Sequence, residues 1–128
     1  MKLDPLVDLL EAADCGTSGE TIFTYKMPVE CVEGILLQDS YFGTPIDWDL
    51  PGYRRGQFRL VTRSRDWDAG NALAQAASDA LTMQQPVQLD GMLMKQCLPQ
   101  NDPRSYHRSA GNYWEFEVDF NATHVLTP

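Results

Sequence analysis

Along Gln57-Phe58-Arg59-Leu60-Val61-Thr62-Arg63 apolar and polar side chains alternate with a period of two, and a few residues later the period lengthens to three and four. Phe58, Leu60 and Thr62 fall on one side, and Gln57, Arg59, Val61 and Arg63 on the other, as in a half-buried strand. Asp66 then offers a carboxylate to the free amides of a first helical turn, and Asp68 adds negative charge at the positive end of the helix dipole. From Gly70 onward Leu73, Ala74, Ala77, Ala80 and Leu81 recur at helical steps, so the spacing predicts a helix lying flat across the apolar side of the preceding strand. A second row, Ala69, Ala72 and Ala76, is placed to meet a neighbour, although alanine is also the best helix former and needs no other reason to be there.

The other elements are read around this strand and helix. Leu6, Leu9, Leu10 and Ala13 share a face of a short N-terminal helix that starts near Pro5 and ends in the turn Asp14 to Gly19. Thr21–Lys26 and Gly34–Asp39 read as strands, the second apolar on both sides and hence interior to its sheet. Val87–Leu98 reads as a strand bent at Gly91, and Pro99–Gly111 as a polar loop tipped with Arg104, His107 and Arg108. The cleanest alternation comes last, with Trp114, Phe116, Val118 and Phe120 opposite Tyr113, Glu115, Glu117, Asp119 and Asn121. A one-residue slip there would bury three carboxylates, which fixes the register. If this strand shares a sheet with the Phe58 strand, then Arg59 and Arg63 emerge on the same face as Glu115, Glu117 and Asp119, a possible acidic face lined by opposite charges.

The expected fold is α/β (α+β). It has a mixed, mainly antiparallel sheet of four to five strands, the alanine-rich helix on one face, and the short N-terminal helix. Residues 1–128 form one domain, with 1–19 as helix and turn and 122–128 as a loose C-terminal arm. The segment 41–55 is long for a loop and carries Tyr41, Phe42, Ile46, Trp48, Leu50 and Tyr53. Long unstructured loops are usually functional, and six large apolar side chains must fold back or dock on another chain. The expected subunit interface therefore comprises these six together with Arg59, Arg63, Ala69, Ala72 and Ala76.

Composition narrows the function. The chain has 128 residues, 43% of them hydrophobic, and a formal charge of −8. That balance argues against gripping nucleic acid by phosphate neutralisation, which needs clustered Lys and Arg. It suits a wall past which a duplex slides, although acidity also serves plain solubility. No stretch is long and apolar enough for a membrane span, and the start Met1-Lys2-Leu3-Asp4-Pro5 has no signal core, so a soluble, non-exported chain is expected. Cys15, Cys31 and Cys97 are too few and too scattered for a disulfide framework or zinc site and are expected as reduced thiols.

Candidate chemistry is thin. Asp47-Trp48-Asp49 and Asp66-Trp67-Asp68 each place two carboxylates two apart, but the first lacks a third ligand in sequence and the second is more simply a helix cap. With two histidines a transition-metal site has little to work with. Glu115 and Glu117 as an acid and base pair compete with the simpler reading of a solvated sheet face paired to arginines. No nucleophile elbow, phosphate loop or dinucleotide fingerprint is present. No catalytic, cofactor or metal site is expected.

The succession Ile22-Phe23-Thr24-Tyr25, Gly34-Ile35-Leu36-Leu37, Phe42-Gly43-Thr44-Pro45-Ile46, Leu50-Pro51-Gly52-Tyr53 and Phe58-Arg59-Leu60-Val61-Thr62-Arg63 leads into the alanine-rich helix ending at Ala80-Leu81. With the final Trp114-Glu115-Phe116-Glu117-Val118-Asp119-Phe120, this order resembles the tail terminator proteins of long-tailed bacteriophages, also described as minor tail or minor capsid proteins. The resemblance covers residues 20 to 121 and rests on order and spacing, with no catalytic residues to carry over. It implies a structural virion protein of the head–tail junction, assembled in the host cytoplasm. It implies a homo-oligomer, a hexameric ring that ends growth of the tail tube. The tube protein would meet one side and the head connector or stopper protein the other, while DNA passes through without specific binding and no membrane is involved. The alternatives are a head-completion (neck) protein of the same joint, with rings of other stoichiometry, and a small monomeric enzyme or adaptor.

Overall fold

A computed structural model describes residues 1–39 and 43–127. In chain order its elements are α1 (Asp4–Ala12), β1 (Ile22–Thr24), β2 (Gly34–Asp39), β3 (Tyr53–Ser64), α2 (Trp67–Leu81), β4 (Val87–Leu89), β5 (Met92–Pro99), β6 (Arg104–Arg108) and β7 (Tyr113–Leu126). The strands form one seven-stranded sheet in the order β1-β2-β3-β7-β5-β4, with β6 also on β7. Among the strands of the described residues only β1 and β2 pair parallel, and every other strand pair is antiparallel.

The spine is the β3–β7 pair, in register from Tyr53↔Val125 to Ser64↔Trp114. Its alternation does what the sequence pattern requires. Phe58, Leu60, Phe116, Val118 and Phe120 point to the inner face and are buried, and the directly opposed Phe58 and Phe120 rings stack at 4.9 Å. Ile35 and Leu37 of β2 and Met92, Met94 and Cys97 of β5 extend this face, and α1 covers it with Leu6, Val7 and Leu10. Asp66 caps α2 as expected, accepting a hydrogen bond from the Ala69 amide at 2.9 Å. Ala74, Ala77 and Leu81 are buried, so α2 lies across β3 and β7.

Four readings of the pattern are corrected. The sheet has seven strands rather than four to five. Val87–Leu98 is not one bent strand but a hairpin: Leu89 pairs with Met92 across Asp90-Gly91, Gly91 takes a φ of +79°, and the irregularity falls instead between Met94 and Gln96. Pro99–Gly111 is not all loop, because β6 pairs with Tyr113–Glu117 of β7. Residues 122–126 are no loose arm; they belong to β7, paired on both sides, with Ala122 and His124 buried.

β5 and β6 therefore run along one edge of β7 as a single interrupted strand. Across the interruption Asn101 takes the place of backbone: its Oδ1 accepts from the Asp119 amide at 3.0 Å and its Nδ2 donates to the Glu117 carbonyl at 3.1 Å. The ladder thus loses none of its partners where the chain bows out. On the outer face, Met27, Leu36 and Val61 form a small second cluster, covered by the crossing from β1 to β2.

Candidate assembly surfaces

The outer face of the spine carries Arg59 and Arg63 together with Glu115, Glu117 and Asp119, as the alternation predicts, and the register places Arg59 opposite Asp119 and Arg63 opposite Glu115. β6 adds Arg104 and Arg108 on the far side of β7, so a central row of carboxylates is flanked by guanidinium groups on both sides. Asp119 is held by Arg59 at 3.0 Å and Arg104 at 3.1 Å. Glu117 lies 3.6 Å from Arg59 and 3.4 Å from Arg104 and accepts the Tyr106 hydroxyl. Glu115 takes Arg63 at 2.9 Å and Arg108 at 2.7 Å.

These groups differ in depth, and depth sets their role. Arg63 and Glu115 keep side-chain exposures of 15% and 8%, and Arg63 also donates to the carbonyls of Pro28 and Cys31. It is clamped under the β1–β2 crossing, so removing Glu115 strands its charge at a cost of roughly 3–5 kcal/mol, whereas Glu115 without Arg63 would still keep Arg108. Arg59 and Arg104 are nearly half exposed, where such pairs give about 0.2–1 kcal/mol each. Burial pushes the Glu115 carboxyl upward, but hydrogen bonds from Arg108 and Arg63 outweigh it and hold the group below the usual carboxylate range. Asp119 is lowered in the same way, burial being overcome by Arg59 and Arg104. Burial, followed by the bond to Glu117, pushes the Tyr106 hydroxyl up to about 12.

The second surface is the loop ahead of β3. Tyr41 and Phe42 lie outside the described residues. Ile46, Trp48 and Leu50 are all exposed, Trp48 at 86%, while Tyr53 is half-buried as the first residue of β3. Asp47 spends one oxygen on the Asp49 amide at 3.0 Å, closing a local turn. Among the described residues no three His, Cys, Asp or Glu gather as a metal site would require. Between this loop and β5 runs an open trough. Pro45, Ile46, Asp47, Trp48 and Asp49 form one wall and Lys95 and Leu98 the other, while Arg55, Gln57, Asn121 and Thr123 make the floor.

On the opposite side of the molecule Ala69, Ala72 and Ala76 form an exposed ridge along α2. Sequence reasoning missed Arg55, Lys95, Arg104, Tyr106 and Arg108 as members of these surfaces. The signal for the last three was present in Arg104-Ser105-Tyr106-His107-Arg108, whose long polar side chains already alternate with a period of two.

No helix is long and apolar enough to cross a membrane among the described residues. The sequence pattern of the bacteriophage tail terminator protein family matches residues 9–126. No curated protein matches the chain. Among solved structures, a chain from the virion of a native gene transfer agent particle is similar in fold, with a TM-score of 0.65 at 14% identity, covering 94% of this chain and 92% of that one.

Proposed function

The chain belongs to the bacteriophage tail terminator protein family and is a structural component of a phage tail; from this premise we propose that it closes the tail tube as a six-membered ring at the head–tail junction. The ring ends tube growth on one side and presents a surface to the head connector or stopper protein on the other. DNA passes through its channel without specific binding, in keeping with a net charge of −8.

The observation that carries this reading is the loop of Ile46, Trp48 and Leu50, which leaves three large apolar side chains in water within five residues. Large apolar side chains, aromatic Trp48 above all, carry interface energetics, and a folded chain gains nothing from exposing three of them together. The likeness in fold to a chain of a gene transfer agent virion supports a place in a particle. Mass measurement and negative-stain imaging of the purified protein test the proposal. Six copies in a ring with a central hole are expected, whereas a stable monomer at all concentrations overturns it.

A further inference from the structure

The molecule is electrostatically two-sided. The outward side chains of β3, β5, β6 and β7 include Arg55, Arg59, Arg63, Lys95, Arg104 and Arg108, six of the ten Lys and Arg, against Glu115, Glu117 and Asp119, three of the eighteen Asp and Glu. Adding Asp47 and Asp49 from the rim of the trough still leaves six cations to five carboxylates. The helix side is the reverse. Neither α1 nor α2 contains a single Lys or Arg, and their exposed positions hold Asp4, Asp8, Glu11, Asp68 and Asp79.

The upper cations of the sheet face are spent within the Arg–carboxylate row, but Arg55 and Lys95 in the trough make no ion pair among the described residues. The trough joins these two cations to the apolar side chains Ile46, Trp48 and Leu98, with Asp47 and Asp49 on its outer rim and the Arg55 guanidinium donating to the Tyr53 hydroxyl at 3.5 Å. The α2 surface offers the complement, a ridge of Ala69, Ala72 and Ala76, low enough for a helix axis to approach closely, flanked by Asp68 and Asp79. The two surfaces lie on opposite sides of the sheet. A contact that joins unlike patches on opposite sides of one chain is head-to-tail, and such contacts give rings where the rotation closes and open filaments where it does not.

We propose that the trough around Arg55 and Lys95 receives the α2 ridge of a second copy of this chain, with Asp68 and Asp79 facing the two cations. This rests on the ring reading above and places the interface within it. Complementary potentials of this kind orient the encounter and set register as well as affinity, and they weaken with salt.

The test is a charge exchange. Arg55→Glu with Lys95→Glu, and separately Asp68→Lys with Asp79→Lys, should each weaken association by about tenfold or more, while the chain carrying all four changes recovers it. Association is read by analytical ultracentrifugation at low and high salt. Thermal melting of each variant checks that the monomer still folds, which exposed positions permit; should a double variant melt early, Lys95→Glu and Asp79→Lys alone carry the same comparison. A wild-type ring indifferent to both pairs, or a quadruple variant that folds without reassembling, overturns the placement and leaves the ring reading standing. A wild-type chain that stays monomeric overturns both. Duplex DNA bound by the wild type and lost on Arg55→Glu with Lys95→Glu, while rings persist, assigns the trough to phosphate and likewise overturns the proposal.

Discussion

His124 shows how one residue sets a pH response. Its ring is fully enclosed on the inner face of β7, with Nδ1 3.3 Å from the Ala122 carbonyl. Burial is the larger influence and holds its pKa below the ordinary histidine value despite that carbonyl. The folded chain therefore keeps the ring neutral while the unfolded chain titrates normally near about 6.5. Below that pH the unfolded state binds a proton that the folded state refuses. Stability is full above about pH 6.5 and falls as the pH drops from there through the folded pKa. Melting His124→Gln beside the wild type between pH 7.5 and 5 should give a flatter profile for the variant, and parallel profiles would contradict the account. The lowered carboxyls of Glu115 and Asp119 act in a separate window: their contribution is complete above the unfolded carboxylate pKa of about 4 and is lost as pH falls through the folded values.

At the scale of elements, Gly70 decides how closely α2 approaches the sheet. Alanine in place of glycine ordinarily stabilises a helix by about 1 kcal/mol. Here the added Cβ would run into the Phe116 ring and stand 3.0 Å from the Ser64 Cβ. Phe116 is enclosed and also in tilted contact with Trp67 at 5.7 Å, so its ring cannot swing away. Overpacking of this kind costs about 1–3 kcal/mol and outweighs the propensity gain. Gly70→Ala should lower stability by up to about 2 kcal/mol in denaturant melts, whereas the same change at an open helical glycine would raise it.

At the scale of the whole molecule, the apolar loop and the fold are separable. Trp48 contributes little to the core at 86% exposure, so Trp48→Ala should leave the melting of the monomer within about 0.5 kcal/mol of wild type while reducing ring formation severalfold or more. Light scattering over a concentration series, beside a melt of the dilute protein, separates the two effects. Loss of monomer stability with assembly unchanged would instead make the loop part of the fold. Arg63 belongs to the other class, since its guanidinium is already committed to Glu115 and to two carbonyls of its own chain.

What the sequence determined by itself was whatever one local period suffices to specify. The Phe58 and Trp114 strands, their inner and outer faces, the Asp66 cap and the alanine face of α2 follow from alternation, capping chemistry and helical spacing, since each depends on neighbours within a few residues. That Arg59 and Arg63 would share a face with Glu115, Glu117 and Asp119 was also legible, given one sheet, whereas which of them stand opposite each other was set by the register. Tertiary structure decided the rest. Arg104–Arg108 is a strand because its backbone pairs with Tyr113–Glu117 of β7, and Asn101 bridges the break in the ladder. Residues 122–126 are core rather than arm because β3 and β5 flank them. The trough at Arg55 and Lys95 brings together residues 40 positions apart in sequence. The gathering of six cations and their carboxylate partners on one side of the sheet is a property of the folded surface, which no local period encodes.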